Sequence, residues 1–146
     1  MADTPQLLLE NQLCFPLYAA ARRVTNLYTP HLKPLDLTYT QYIVLLVLWE
    51  RDHISVGELS ERLLLDSGTL TPLLKKMEAA GRVTRTRSSQ DERVVIISLT
   101  DEGRALREKA ADIPFKVGSC IPLEAEDAVL LHQLLNKLLQ ATALIP

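Results

Sequence analysis

Residues 65–103 decide the fold, and they read LDSGTLTPLLKKMEAAGRVTRTRSSQDERVVIISLTDEG. A turn opens the stretch, and a helix then runs from Ser67 or Thr69 to about Ala80. Gly81 follows as the expected C-terminal cap of that helix, since glycine adopts the left-handed conformation without steric cost. Beyond Gly81 the apolar period changes from that of a helix to near-alternation, which indicates that β-structure follows.

The second half of the stretch has the pattern of a β-hairpin. Val83–Arg87 alternates or nearly so, Ser88–Asp91 is turn-like, and Val94–Leu99 is β-branched and apolar. Thr100 then caps a further helix that runs to about Ala111. The order of elements is therefore helix, hairpin and helix.

Two capping boxes come before this stretch. Thr38 and Gln41 open an apolar helix from Tyr39 to Glu50, and Ser55 and Glu58 open a short helix that ends near Leu64. A short capped helix, a tight turn, a second helix with polar residues at its start and a basic hairpin are typical of a winged helix-turn-helix. The predicted fold class is therefore mainly α with a small β-hairpin wing.

The charge distribution supports DNA binding although the net charge of the 146-residue chain is −2. Leu70–Val95 contains six basic and three acidic residues, whereas Met1–Thr69 contains five basic and eight acidic ones. A protein that is acidic overall can present one basic face to DNA, because salt confines the field to about 8–10 Å. The alternative is a solvated basic surface on an ordinary hairpin, but the order of the elements favours DNA binding.

Composition argues against several other functions. The two cysteines form no C-x-x-C motif, the three histidines are scattered, and no glycine-rich phosphate loop is present, so we expect neither a metal nor a cofactor. No apolar run approaches the roughly 20 residues of a membrane span. The N-terminus has no basic region followed by an apolar stretch, so we expect a cytoplasmic protein with no membrane partner.

Helices are also predicted at both ends of the chain. The first should run from about Asn11 to Tyr28, where apolar residues recur at three and four positions. The last, from Glu124 to about Ala143, is apolar over a wider face than a one-sided amphipathic helix needs.

Residues 65–103 resemble the helix-turn-helix and wing of the MarR family, and the similarity extends from about Glu10 to the last helix. The run from Asp91 to Arg93, followed by an apolar strand and by Leu99-Thr100, matches that family's wing pattern. The resemblance implies an obligate homodimer with interleaved terminal helices and two winged lobes on a pseudopalindromic duplex. The expected organisation is a single MarR-like domain, 1–146, with dimerisation helices in 1–34 and 113–146 and a winged helix-turn-helix lobe in 35–112.

DNA-binding residues are expected on the second helix of this motif and on the hairpin. Small and hydroxyl side chains at the start of the helix allow close approach to a groove, and its N-terminal N–H groups favour phosphate. Arginines around a short loop suit minor-groove or phosphate contact, and by resemblance Asp91 and Arg93 form the wing tip. The predicted DNA-binding residues are Ser67, Thr69, Thr71, Lys75, Arg85, Arg87, Asp91 and Arg93.

The segments ENQLCFPLYAAARR (10–23) and DLTYTQY (36–42) resemble the organic-hydroperoxide-sensing branch of the MarR family. That branch implies a reactive cysteine near the start of the first helix, held by tyrosine hydroxyls. The matching positions are Cys14, Tyr18, Tyr28 and Tyr39. Tyr18 shares a helix face with Cys14, but Tyr28 lies about 21 Å further along a straight helix, and the resemblance implies that Tyr28 and Tyr39 come from the partner subunit.

The expected chemistry is attack of a thiolate on a peroxide O–O bond. A helix N-terminus and phenolic O–H donors would stabilise the thiolate, and Leu13, Phe15 and Leu17 indicate an apolar approach suited to alkyl or lipid hydroperoxides. The alternative is an inert cysteine packed as a small hydrophobe; the tyrosine match favours the sensor. Pro16 departs from the pattern because it removes one backbone N–H close to the thiol.

The second cysteine, Cys120, has two interpretations. It is either a resolving thiol for Cys14 of the other chain, as in some members of this branch, or a bystander in the segment from Gly118 to Ile121.

The leading prediction is a DNA-binding transcriptional repressor, not an enzyme, that senses an organic hydroperoxide through oxidation of Cys14 and then releases its operator. One alternative is a MarR-type repressor controlled by a small phenolic or other ligand, with Cys14 not reactive. A thiol peroxidase would need turnover and a reductant, and an interaction module that shares the fold would not bind DNA.

Overall fold

The chain is described here from a computed structural model, which covers residues 4–143. Within those residues it forms eight α-helices and three β-strands, with 3-10 turns at Pro5–Leu7, Leu9–Asn11 and Lys33–Leu35. The helices are α1 (Cys14–Asn26), α2 (Thr29–Leu32), α3 (Tyr39–Glu50), α4 (Val56–Leu63), α5 (Ser67–Ala79), α6 (Asp101–Ala110), α7 (Ile113–Gly118) and α8 (Ala125–Thr142). The strands are β1 (Ile54–Ser55), β2 (Val83–Arg87) and β3 (Val95–Leu99). The predicted fold class is confirmed; residues 1–3 and 144–146 of the predicted dimerisation segments lie outside the described residues.

Both predicted capping boxes are present. At the start of α3, Gln41 N–H donates to Thr38 Oγ1 over 3.3 Å and Thr38 N–H donates to Gln41 Oε1 over 3.0 Å. At the start of α4, the reciprocal bonds between Ser55 and Glu58 measure 3.1 and 3.0 Å. Each box satisfies two backbone donors that a helix N-terminus leaves unpaired, which explains why these two starts were predicted to the residue.

The first helix is shorter than the predicted span from Asn11 to Tyr28. Residues 9–11 form a 3-10 turn instead, in which Asn11 Nδ2 donates to Pro5 O over 2.7 Å. At the other end α1 stops at Asn26, and a separate short helix begins at Thr29 with Pro30 in its first turn. Helix α6 ends at Ala110, close to the predicted end near Ala111, and a separate helix, α7, begins at Ile113 with Pro114 in its first turn.

The sheet has three antiparallel strands in the order β1-β3-β2. The predicted hairpin pairs Val83 with Leu99 and Arg87 with Val95. The third strand, β1, was not predicted; it pairs Ile54 with Ile97. Two residues are too short to show a periodic pattern, so only the tertiary pairing defines this strand.

Asp52, which lies just before β1, binds the C-terminal end of β3. Its carboxylate accepts the N–H groups of Leu99 and His53, each over 2.8 Å, and pairs with the Arg104 guanidinium over 2.8 Å. Burial raises the pKa of the Asp52 carboxyl, but these donors outweigh it and hold the pKa below the ordinary value.

The turn after α5, the start of β2 and the start of α6 meet at a wing junction formed by Gly81, Arg82, Thr100 and Gly103. Gly81 has a φ of 72°, and its N–H donates to Glu78 O over 2.9 Å, as the predicted cap requires. Thr100 Oγ1 donates to Gly81 O over 2.7 Å and accepts from Gly103 N–H over 3.0 Å. The end of α5 and the start of α6 are thereby tied to the same side chain.

The hydrophobic core is formed by the winged lobe together with the flanking helices α2 and α7. Its largest fully buried side chains include Leu32, Leu45, Leu48, Leu59, Leu70, Leu74, Met77 and Ile97. In contrast, neither α1 nor α8 contains a buried residue. The two helices nevertheless expose large apolar side chains, among them Leu17, Val24, Val129, Leu130, Leu134 and Leu138.

We expect Gly103→Ala to destabilise the protein. A Cβ at this position would lie 2.1 Å from Arg82 O, so the backbone of α6 or of β2 has to shift, at a cost of about 1–3 kcal/mol. The matched control is Gly118→Ala, because a Cβ at Gly118 meets nothing within 4 Å. Urea unfolding measures both variants, and equal stability of the two would contradict the close approach at Gly103.

We expect Asp52→Asn to lower the free energy of unfolding at neutral pH by about 1–3 kcal/mol, the range for hydrogen bonds to a charged group. Since the folded-state pKa of Asp52 lies below its ordinary value of 3.8, its contribution is fully present above that pH and is lost as the pH falls through the folded-state pKa. The wild-type and variant stabilities should therefore converge in acid; a difference that stays constant between pH 7 and pH 2 would exclude the carboxylate as its source.

Candidate DNA-binding surface and redox site

Helix α5 is positioned by Asp66, a cap that the sequence analysis did not single out. The Asp66 carboxylate accepts the Thr69 N–H over 2.8 Å and the Thr69 hydroxyl over 3.2 Å. These bonds from Thr69 keep the pKa of the Asp66 carboxyl below its ordinary range. The pattern of an aspartate three residues before a threonine at a helix start was the available sequence signal.

The outer face of α5 carries the residues predicted to contact DNA. The helix buries Leu70, Leu74 and Met77 against the core. Ser67 is exposed in the first turn, Thr69, Lys75 and Lys76 are exposed along the helix, and Thr71 is half-buried. Because the Thr69 hydroxyl already donates to Asp66, Ser67 and the lysines have the freest polar groups on this face.

The wing tip is organised by an ion pair between Asp91 and Arg93. Arg93 Nε and a terminal nitrogen donate to the two Asp91 carboxylate oxygens over 3.0 and 3.1 Å, and the Arg93 backbone N–H donates to the same carboxylate. These bonds from Arg93 hold the pKa of Asp91 below its ordinary value. The Arg93 side chain is 91% exposed, so the pair fixes the direction of a cation that reaches into solvent.

The two arginines of β2 differ in their surroundings. Arg87 is exposed and donates to Glu92 O over 2.7 Å. The Arg85 side chain is only 21% exposed, its guanidinium lies 3.8 Å from the Glu78 carboxylate, and its backbone N–H donates to Glu78 over 3.1 Å. Arg85 shares a strand face with buried Val83, which was the signal for an inward position. These contacts link β2 to α5, and the DNA contact of Arg85 stays a prediction.

Cys14 is the first residue of α1 and is exposed. Pro16 therefore lies in the first turn, where backbone N–H groups have no partner within the helix, and it costs α1 no ladder bond. Leu13 and Phe15 are exposed beside the thiol, and Phe15 lines a shallow depression with Leu8, Leu9 and Glu10. Exposed apolar side chains thus flank Cys14 in the sequence, and an apolar approach to its thiol stays a prediction.

Tyr18 lies one turn after Cys14 and is 61% exposed. The Arg22 guanidinium sits over its ring, with Cζ 5.4 Å from the ring centroid. The sequence analysis did not assign Arg22 a role, although its i+4 spacing from Tyr18 is the spacing at which such contacts form on a helix.

Tyr28 and Tyr39 are brought together by the fold. Their ring centroids are 4.9 Å apart, and Tyr42 lies 5.7 Å from Tyr28 and 6.4 Å from Tyr39. Burial raises the pKa of Tyr39 and of Tyr42, and the neighbouring Tyr28 raises both further. Within residues 4–143 of one chain, no hydrogen bond joins Tyr28 or Tyr39 to Cys14. Within the single chain, therefore, neither the Tyr28 nor the Tyr39 hydroxyl donates to the Cys14 thiol.

Cys120 follows the end of α7 and is exposed. Its thiol donates to Lys116 O over 3.3 Å. The two cysteines form no disulfide with one another within the chain.

Neither a metal site nor a membrane span is found in the part of the chain that the structure describes. No cluster of three or more His, Cys, Asp or Glu side chains there could hold a metal ion. Among the helices of residues 4–143, none is long and apolar enough to cross a bilayer.

Known proteins share both the sequence and the fold. The family of transcriptional regulators described as SarA/Rot matches residues 26–110. The organic hydroperoxide resistance transcriptional regulator of Bacillus subtilis (strain 168) is 51% identical over 132 residues, which is 90% of each chain. AbfR of Staphylococcus epidermidis has been solved in several states. Reduced AbfR bound to DNA gives a TM-score of 0.81 at 36% identity over 96% of each chain. Disulfide-formed AbfR gives 0.64 at 38% identity over 92% of this chain and 95% of that chain.

A recognition helix followed by a basic wing defines the class of winged helix-turn-helix proteins. The chain belongs to the MarR/SarA family of transcriptional regulators and, within it, to the branch of the organic hydroperoxide regulators. The predicted family is thereby confirmed, whereas the roles of the individual site residues stay predictions.

We expect Arg93→Gln to weaken DNA binding by the reduced protein and to lower the salt dependence of log Kd by about one unit per wing, the slope for one phosphate contact, and so by about two units for a dimer. The probe is a duplex that the reduced protein has selected from a random-sequence pool. The matched control is Arg107→Gln, which removes an exposed cation of α6 outside the predicted DNA-binding set and should leave the salt dependence unchanged. Equal salt dependences in wild type and Arg93→Gln would show that Arg93 at the wing tip does not contact a DNA phosphate.

Proposed function

We propose that this protein is a transcriptional repressor that senses organic hydroperoxides through oxidation of Cys14 and then releases its operator. The observation that carries the proposal is an exposed cysteine at the first turn of α1 in a chain that is 51% identical to an organic hydroperoxide resistance regulator. The winged lobe supplies the DNA-binding output, with α5 and Arg93 directed toward the duplex.

The conformation of this chain is more similar to the DNA-bound forms of AbfR than to its disulfide form. The TM-score is 0.81 for reduced AbfR on DNA and 0.76 for overoxidised AbfR on DNA, but 0.64 for disulfide-formed AbfR. In AbfR, then, disulfide formation accompanies a different arrangement of the chain. The same order of states in this protein would make the reduced form the repressor.

The functional unit is a homodimer on a pseudopalindromic site. The apolar faces of α1 and α8 are uncovered in the single chain, with Leu130 and Leu134 more than half exposed. Faces of this kind are stable in water only when another surface covers them. A second copy covers them in the proposed dimer, so that 1–34 and 113–146 form the interface and the 35–112 lobes project to DNA.

The sensing chemistry is a two-electron oxidation. The Cys14 thiolate attacks the outer oxygen of R–O–OH, the O–O bond breaks, and protonation of the leaving alkoxide gives the alcohol R–OH and the sulfenic acid Cys14–SOH. The thiolate lies at the N-terminus of α1, the positive end of the helix dipole. Direct N–H donation from the first turn is limited, because Phe15 N–H donates to Gln12 O and Pro16 has no N–H. Tyr18 of the same chain, and Tyr28 and Tyr39 of the other chain, supply phenolic O–H donors.

Cys120 acts as the resolving thiol for Cys14 of the partner subunit. Its sulfur displaces the hydroxyl of the sulfenic acid, which forms an S–S bond and releases water. The exposure of both thiols supports this step, since exchange requires access. The overall balance is two thiols and one hydroperoxide converted into one disulfide, one alcohol and one water.

In this proposal the protein is a stoichiometric sensor and not an enzyme. It acts in the cytoplasm, where it binds DNA. The relatives reported above are transcriptional regulators. A sensor consumes one hydroperoxide per active thiol, whereas a thiol peroxidase turns over with a reductant.

The test is to add one equivalent of cumene hydroperoxide per chain and to measure DNA affinity and non-reducing intact mass together. We expect the affinity of the wild type to fall about 5–150-fold, the range of typical coupling free energies, with a covalent dimer as the product. Cys14→Ser should bind the duplex in both conditions, and Cys120→Ser should stop at a single added oxygen.

Release of DNA from Cys14→Ser by the hydroperoxide would contradict the proposal. A small-ligand repressor would then account better for the fold. A disulfide dimer that persists in Cys120→Ser would remove only the resolving role of Cys120.

A further inference from the structure

A line of aromatic side chains leads from the two tyrosines of the proposed sensor toward the wing junction. Tyr28 and Tyr39 both contact Tyr42, at centroid distances of 5.7 and 6.4 Å. Tyr42 is 2% exposed, and its ring meets Trp49 edge-on at 6.4 Å and 68°. These four residues form the aromatic line, and sensor chemistry accounts for only its first two members.

Trp49 connects the aromatic line to α6. Its indole N–H donates to Gly103 O over 2.9 Å, across 54 positions of sequence. Gly103 belongs to the wing junction and lies so close to Arg82 O that no Cβ fits between them. A displacement of Gly103 therefore has to be passed to Arg82, where β2 leaves the end of α5.

Helix α3 makes the connection rigid. Tyr39, Tyr42 and Trp49 occur at i, i+3 and i+10, which places them along one side of the helix. At 1.5 Å per residue, Tyr39 and Trp49 are about 15 Å apart along the axis. The capping box at Thr38 fixes the helix end that carries Tyr39. A change at Tyr39 thus moves α3 as a body and reaches Trp49.

We propose that Trp49 is a positioning residue that couples the oxidation state of Cys14 to the DNA-binding wing through its hydrogen bond to Gly103. The inference rests on the proposed function, because Tyr28 and Tyr39 have to engage the thiol for the aromatic line to sense it. Oxidation removes the thiolate that the phenols hold, the tyrosines shift, and Trp49 transmits the shift to Gly103 and Arg82. Trp49 itself contacts neither the thiol nor DNA.

A merely structural tryptophan would also fill this space, so the test compares coupling with stability. Trp49→Phe keeps an aromatic ring and removes the N–H donor. The matched control is Val47→Ala, which shortens a buried side chain of the same helix outside the aromatic line. Both variants should have a lower free energy of unfolding. Only Trp49→Phe should weaken the effect of Cys14 oxidation on DNA affinity.

The measured quantity is the ratio of DNA affinities before and after one equivalent of cumene hydroperoxide. For Trp49→Phe we expect the reduced affinity to stay within about threefold of wild type and the ratio to shrink about three- to tenfold, the range for one hydrogen bond. Val47→Ala should keep the wild-type ratio. An unchanged ratio in Trp49→Phe, with normal release by the wild type, would overturn the inference alone; no release by the wild type would overturn the proposed function.

A second readout follows the residue directly, because Trp49 is the only tryptophan of the sequence. We expect its fluorescence emission to change when the wild type is oxidised and to stay constant in Cys14→Ser. Tyr42→Leu, which interrupts the aromatic line, should reduce the change in Trp49 emission on oxidation. Tyr42→Phe, which keeps the ring, should show the same change as the wild type. DNA release without any change in Trp49 emission would contradict the coupling role.

Discussion

Helices α1 and α8 contain no buried residue in the single chain, although both expose large apolar side chains. The proposed assembly and its redox site depend on how these apolar faces are covered. All residues of the buried core belong to the winged lobe or to α2 and α7, which flank it, and none belongs to α1 or α8. In the proposed dimer the terminal helices gain burial from the second chain. We propose that the same contact brings the partner's phenols to the thiol at the start of α1, so that it both stabilises the helices and completes the sensor.

In the winged lobe, a few side-chain to backbone hydrogen bonds connect segments that are distant in the sequence. Thr100 ties the end of α5 to the start of α6, Asp52 ties β1 to β3, and Trp49 ties α3 to Gly103. Interfaces packed this closely do not deform gradually but change between discrete arrangements. A small change at the thiol can therefore alter the position of the wing, and no long flexible segment has to carry the signal.

The sequence predicted those elements whose signals are local. Capping residues set the starts of α3, α4 and α6, and Gly81 set the end of α5, because each satisfies backbone groups within four positions. It did not predict β1, which exists only through pairing with β3, or the inward position of Arg85 beside Glu78. In the proposed redox site Cys14, Tyr18, Tyr28 and Tyr39 followed from resemblance, and the i+4 spacing of Arg22 from Tyr18 is a local signal. Tyr42 and Trp49, in contrast, required the fold to bring them into contact.

The central claim, a redox site assembled from two chains, is tested most directly by the oxidation rate of Cys14 in two heterodimers. One carries Cys14→Ser on one chain and Tyr28→Phe on the other; the second carries both substitutions on one chain opposite a wild-type chain. If the thiol pairs with the partner's phenols, the first heterodimer keeps one intact site and oxidises at the wild-type rate, while the second is slow. The opposite order would show that each chain builds its own site and would contradict the account.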